Sequence, residues 1–356
     1  MATSTGQRFL EGSGDDLNRA IIPFYNVVQE AFHAKTLLWN AVASDGGVGS
    51  EGFPSSVVVS RTVPFGGSHQ FITLGQDGTP EDHTPGVELL GQSVDLEHGN
   101  ITIDAILVSH RDFAGDHDAL SHFDIMAPHA RKIARELATE FDKRLFRLAV
   151  LAANTAATSG IHNGGNIVSN TGHATVAAAY PTTSTGATDL QNDIAELAKL
   201  QDEDDAPEDG RFLAISPYAR QVLTNGDLTR WFDTQLSNPQ SNSLNQRIIG
   251  QLHGFNVLTP TNHLPSTDVT TGPTKYRGDF TVASAAIGQP VAVALSGADE
   301  GTAAIGYVTT SHEKFGAIYT FAMFDERRNT WFMKAQMMVG ADILAPWCAG
   351  AIIVED

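Results

Sequence analysis

Between Met126 and Ala152 the apolar residues Met126, Ala130, Ile133, Leu137, Phe141, Leu145, Leu148 and Ala152 recur at steps of 4, 3, 4, 4, 4, 3 and 4. That rhythm keeps one stripe of a 3.6-residue helix apolar along its whole length. Arg131, Lys132, Arg135, Glu136, Glu140, Asp142, Lys143 and Arg144 fill the positions between, so one face packs while the other is wet or meets a partner. The pattern predicts a helix over about 123–154, roughly 30 residues at ~1.5 Å each and so ~45 Å long. An average globular helix is far shorter, at ~10–14 residues. This one reads as a strut.

The segments before the strut are of two kinds. MATSTGQRFLEGSG carries one Arg, no apolar core and no small-residue cleavage site, so it is neither a secretory signal nor an organelle address and reads as a flexible arm. Pro23–Asn40 is periodic, with Phe24, Val27, Val28, Ala31 and Phe32 on one helical face and Pro23 in the first turn, where a missing N–H costs nothing. From Gly52 to Ile103 short β-type runs (Val57–Val59, Phe71–Leu74, Val87–Leu90, Ile101–Ile103) alternate with turn clusters such as Pro64–Gly67 and Gln76–Pro80. So few large apolar side chains hardly enclose a core, and the economical reading is a long two-stranded projection stabilised by a neighbour.

After the strut, Gly160–Gly186 is rich in Gly, Ser, Thr and Asn and reads as a loop. A helix capped by Asp189 then runs through Leu190, Ile194, Leu197 and Leu200 into the acidic stretch Asp202–Asp209. Phe212–Ile215 is a buried strand, and Ser216 at N-cap with Pro217 at N1 opens a helix over Tyr218–Leu223. Strand character returns at Phe255–Leu258, Val291–Leu295, Ile318–Phe324, Trp331–Val339, Ile343–Leu344 and Ala351–Val354. Without a repeat of fixed period, a solenoid or propeller is excluded. The fold class is α+β, in one elaborate domain or two lobes, since 356 residues are about twice the usual ~100–200 per domain.

Composition removes several functional classes. Hydrophobic residues make up 42% of the chain, yet no run of 18 or more apolar residues offers a membrane span. Cys348 is the single cysteine, which rules out an intrachain disulfide and any Cys-based zinc site. A net charge of −19 is the wrong sign for a protein that binds nucleic acid by releasing counterions.

Candidate chemistry is sparse. His110, Asp112, Asp116, His117, Asp118, His122 and Asp124 form the densest polar constellation, but His117 and His122 are five apart and miss the i, i+4 spacing of a helical zinc site. The plainer reading is a polar loop that brings acids to the positive end of the strut. Asp202, Glu203, Asp204, Asp205, Glu208 and Asp209 fail the calcium-loop pattern because Ala206 and Pro207 replace ligands and the needed glycine, leaving a solvated acidic helix end. Ser311–Lys314 matches S-x-x-K without the other elements of that enzyme class. No dinucleotide fingerprint, P-loop or nucleophile elbow occurs despite 33 glycines, and His253 and His263 read as surface or hydrogen-bonded structural residues.

The order of elements, from arm helix through β projection, strut and α+β lobe to long closing strands, resembles the HK97-type phage capsid fold. Three stretches also resemble the major capsid proteins of short-tailed phages of the T-seven group. They are Ile101-Thr102-Ile103-Asp104 with Asp118-Ala119-Leu120-Ser121-His122-Phe123-Asp124, the strand–Pro–helix step Phe212–Leu223, and Gly254-Phe255-Asn256-Val257 with His263-Leu264. The resemblance runs from about residue 20 onward, and its strength lies in the collinear order of the motifs.

The resemblance implies an N-terminal arm (1–51), an E-loop (52–105), a P-domain with spine helix (106–185), an A-domain (186–312), P-domain long strands (313–345) and a C-terminal strand returning to the A-domain (346–356). It further implies hexamers and pentamers closing into an icosahedral T=7 head, matured from a procapsid around double-stranded DNA and assembled in the host bacterial cytoplasm. Expected partners are identical subunits, a separate scaffolding protein, portal, terminase and an optional decoration protein, with no cofactor, metal or catalysis. An acidic inner wall would let DNA slide without sticking. The 52–100 segment has no lysine, so the Lys–Asn cross-link of the fold's namesake is not available to it. Candidate assembly contacts are Phe24, Val27, Val28, Phe32, Val57, Val59, Phe71, Ile72, Leu74, Arg131, Arg135 and Glu140. Competing readings are an encapsulin-like compartment, a metal-dependent enzyme using the His110–Asp124 cluster, and a β-rich tail protein, the last disfavoured by the strut.

Overall fold

The computed structural model describes residues 16–39, 57–64, 67–74, 82, 96–114, 126–159, 161–208, 210–226, 251–258, 261–284, 286–298, 301–310, 317–325 and 327–356. Helix α1 (Asp16–His33) lies against helix α2 (Met126–Ala153), the expected strut. Every stripe residue from Ala130 to Ala152 is buried, and so are Ala134, Ala138, Phe146, Ala149 and Val150 on the flanks. The strut is therefore enclosed over much of its circumference. Helix α1 begins before Pro23 and stops at His33, short of the expected Asn40. The missing proline N–H removes one internal hydrogen bond without ending the helix.

Among the described residues, two sheets are built along the strut. The first has five strands: β1 (Val58–Val63), β4 (Ala105–Ala114), β12 (Ile305–Thr310), β13 (Ile318–Asp325) and β14 (Thr330–Ile343). Strand β14 is its backbone, pairing antiparallel with β4, β12 and β13, while β1 joins β12 in parallel. Strands β4 and β12 carry no clear signal in the sequence. In β4, Leu107 and Ser109 face inward while Ile106 and Val108 face out. Apolar residues on both faces erase the alternation that would have marked a strand. Ile343 is simply the end of β14.

The second sheet runs β5 (Asn166–Thr171), β15 (Ala349–Glu355), β11 (Gln289–Leu295), β6 (Phe212–Ile215), β8 (Phe255–Val257), β7 (Gln251–Leu252). Its middle strands are apolar throughout because both faces are covered. Val293, Leu295, Ala351 and Ile353 pack in the core that contains the strut. Their neighbours Val291, Ala292, Ala294, Ile352 and Val354 join a separate core under three helices. These are α3 (Val176–Ala179), α4 (Ser184–Glu203) and α5 (Pro217–Gly226). The strut thus belongs to one sheet's core and to one face of the other.

Local signals hold in part. Ser216 caps α5, its Oγ accepting from the Ala219 N–H at 3.1 Å, with Pro217 as first helical residue. Helix α4 starts at Ser184 with Thr183 as cap, so Asp189 lies inside it. The expected loop 160–186 contains β5 and α3. Sheet membership does not follow the order of segments along the chain. β5 falls in the segment assigned to the strut's lobe but edges the second sheet, and β12 falls in the lobe segment but belongs to the first.

Strands β2 (Ser68–Leu74) and β3 (Leu96–Thr102) form a separate two-stranded sheet, the antiparallel pair expected for a projection, and the short strands β9 (Asp268–Val269) and β10 (Gly278–Asp279) form another. Its root is anchored by Ile101, which shares a small core with Val59, Val63, Ala303, Val308 and Leu344. Val87–Leu90, expected as a strand, lies outside the described residues.

Candidate assembly surfaces

The arm and the hairpin are each held by a separate set of contacts, and each leaves part of its surface exposed. At the end of α1 the chain turns back onto the strut. Phe32, Trp39, Phe141 and Tyr307 form an aromatic cluster with centroids 5.2–6.3 Å apart. Beside it stands Asp142, fully buried although its place among charged residues suggested an exposed or partner-facing position. Its Oδ1 accepts from the Thr36 hydroxyl at 2.8 Å and the Leu38 N–H at 3.3 Å, and its Oδ2 accepts from the Leu37 N–H at 2.9 Å. The fourth donor is the His263 ring, Nδ1 to Oδ2 at 3.1 Å. A buried carboxylate is tolerable only when its lone pairs are met in this way.

The hairpin root is fastened separately. Tyr276 accepts from the Ala341 N–H of β14 at 3.0 Å, and Lys275 pairs with Asp104 at 2.6 Å. Burial, with Asp104 nearby, pushes the Tyr276 phenol above its usual range and keeps it a neutral donor and acceptor. Farther out, the Phe71 ring covers Gly99, where a Cβ would come within 2.0 Å of it. Ile72 points away and is 52% exposed.

The candidate contact residues therefore divide. Val28, Phe32, Val57 and Val59 are buried within the subunit, where they pack in its cores. Periodicity identifies an apolar face without saying which surface covers it. Val27 and Phe71 are half-buried against the cores. The side chains of Phe24 and Leu74 lie outside the described residues. Arg131 and Arg135 are exposed, while Glu140 holds Arg144 at 3.2 Å and Arg147 at 3.7 Å along the strut.

An exposed face that the sequence reading missed lies on the first sheet, away from the strut. Ile106 (56% exposed), Val108 (48%) and Met323 (42%) stand on it. Register places them beside Met338, Gln336 and Phe332 of β14. At the centre Lys334 extends over Tyr319 and Phe321, 5.8 and 5.9 Å from the ring centroids. The signal available in the sequence was the run Ala105–Val108, too apolar for the loop expected to follow it.

Only parts of the clusters considered for chemistry fall among the described residues. His110 and Asp112 stand on β4, His110 near Phe332, so the expected polar loop starts as a strand; residues 115–125 lie outside the described residues. Among the described residues no three His, Cys, Asp or Glu gather as metal ligands. The acidic helix end is an organised turn: buried Arg211 pairs with Asp202 and donates to the carbonyls of Ala206 at 2.7 Å and Pro207 at 3.1 Å. Ser311–Lys314 lies outside the described residues. A groove of about 590 Å³ beside α5 is lined by Thr175, Ser216, Tyr218 and Gln289 among apolar neighbours, with no carboxylate, imidazole or cation. No helix among the described residues is long and apolar enough to cross a membrane.

Residues 70–304 match the family model described as Gp10A-like major capsid protein. No curated protein matches the sequence. Among solved structures, the chain is similar to the capsid of the cyanophage P-SCSP1u, at 22% identity and TM-score 0.66, covering 90% of this chain and 94% of that one. It is similar to the mature capsid of bacteriophage PhiM1, at 14% identity and TM-score 0.63, covering 89% and 92%. It is also similar to the capsid of Ralstonia phage GP4, at 12% identity and TM-score 0.54, covering 85% and 90%.

Proposed function

This chain belongs to the Gp10A-like family of major capsid proteins and is a building block of a phage shell with an HK97-like α+β fold, and we propose that its copies form hexamers and pentamers closing an icosahedral head around double-stranded DNA. The observation that carries this reading is a strut serving two sheets, with an arm and a hairpin attached, in a fold shared with phage capsid subunits over about nine-tenths of the chain. In this reading the protein is structural and performs no catalysis. The head is of the T=7 class. It assembles in the bacterial cytoplasm on a separate scaffolding protein, with portal, terminase and an optional decoration protein as further partners, and its DNA contacts are not sequence-specific.

The five-stranded sheet with the strut then serves as the P-domain, the six-stranded sheet with its three helices as the A-domain, and the β2–β3 hairpin as the E-loop. Contacts between copies fall to Phe71 and Ile72 of the hairpin, to Arg131, Arg135 and Glu140 of the strut, and to the apolar face around Ile106, Val108 and Met323. Many modest contacts suit a shell, because a closed lattice sums them while single errors stay reversible. Electron microscopy of the expressed full-length chain, with and without a co-expressed scaffolding protein, tests this reading. Regular particles are expected with the scaffold. A compact monomer indifferent to concentration and to scaffold would overturn it.

A further inference from the structure

We propose that Asp142 is a positioning residue that couples arm docking to the second sheet, so that the arm cannot leave the strut without loosening the segment around His263. The functional weight of this coupling rests on the shell reading above; the coupling itself does not.

The carboxylate has two oxygens and four donors, three from the arm turn and one from His263. Neither set is a neighbour in sequence: Thr36 is 106 residues before Asp142 and His263 is 121 after. Each set is tied onward. On the arm side the Thr36 hydroxyl also accepts from the Trp39 N–H at 3.3 Å, which closes the turn carrying the aromatic cluster. On the other side the His263 N–H donates to the Thr261 hydroxyl at 3.1 Å, and the Thr261 N–H donates to the Ile215 carbonyl at 3.0 Å. Ile215 ends β6, directly before the Ser216 cap of α5. A continuous hydrogen-bonded line therefore runs from the arm, through one strut side chain, into the second sheet.

A hydrophobic residue at 142 would pack into the strut without the desolvation cost of a carboxylate. What the acid adds is geometric: it is satisfied only while both segments are in place. When a donor is withdrawn while the aromatic cluster stays packed, His263 shares a buried carboxylate with an unmet lone pair, a state that low-dielectric surroundings penalise.

Hydrogen exchange on the full-length chain, held as free subunits by dilution, tests the coupling. Thr36→Val keeps the side-chain shape and removes one donor. It is expected to speed exchange about tenfold at residues 34–39 and, through the shared carboxylate, also at 261–264. Acceleration confined to 34–39 overturns the proposal. His263→Gln is expected to act in the reverse direction, loosening 34–39, and an undisturbed arm in that variant overturns it equally. Asp142→Asn is expected to release both segments, and because it endangers folding the other two variants decide. These readouts come from unassembled subunits, so failure to form particles bears on the shell reading and not on the coupling.

Discussion

At Gly340 a Cβ would sit 1.8 Å from the Thr102 carbonyl oxygen and 3.0 Å from the Ile103 Cα, both backbone atoms at the hairpin root. Backbone there has no rotamer to give, so Gly340→Ala is expected to cost about 3 kcal/mol, measured by denaturant unfolding of free subunits. Gly306 offers the contrast. Its added Cβ would meet the Leu344 Cδ1 at 2.8 Å, the far end of a flexible side chain, so Gly306→Ala is expected to cost only about 1 kcal/mol. Equal penalties for the two would mean that the hairpin root is not held by that close approach. Neither position was distinguishable in the sequence, where all glycines look alike until another strand is laid against them.

Among the elements, the arm depends on the strut most directly. Val28, Phe32, Leu38 and Trp39 are buried with Phe141 and Tyr307 in the main core. Removing residues 1–40 therefore strips that core, and the truncated chain is expected to be markedly less stable as well as unable to assemble. Removing residues 1–15 leaves those side chains in place, so thermal unfolding of the two truncations separates the contribution of the docked helix from that of the residues before it. Protonation should act on the same element. Burial holds the His33 imidazole below its ordinary 6.5, with Phe32 and Trp39 against the ring. The docked arm favours the neutral ring, so this contribution is complete above the unfolded value and is lost as pH falls toward the folded one. Acidification from about pH 7 to about pH 5 is expected to raise exchange in α1, and His33→Phe to remove the pH-dependent part.

For the molecule as a whole, a net charge of −19 sets copies against one another before any contact forms. Association must then be driven by apolar faces and hindered by long-range repulsion, so added salt is expected to speed assembly, followed by light scattering. A slowing by salt would mean that ion pairs dominate the contacts. Val108→Glu tests the exposed sheet face, since a charge added there leaves the subunit's stability nearly unchanged and should block particle formation. Normal particles from that variant would remove this face from the assembly contacts.

How much of this was legible depends on the range of the interactions involved. The strut is written in its own sequence, because a seven-step apolar stripe needs no knowledge of the rest of the chain to be a helix, and the Ser216–Pro217 cap is equally local. The order of arm, projection, strut and lobe carried the family resemblance. Hidden were the features settled between distant segments: β4 and β12, whose faces acquire an inside only beside β14; the burial of Val28, Phe32, Val57 and Val59 in their own subunit; and Asp142, a charged residue by pattern and a core residue by contact. Sequence determines which side of an element is apolar through local periodicity, whereas only tertiary packing decides what covers that side, because the covering surface comes from residues tens to hundreds of positions away.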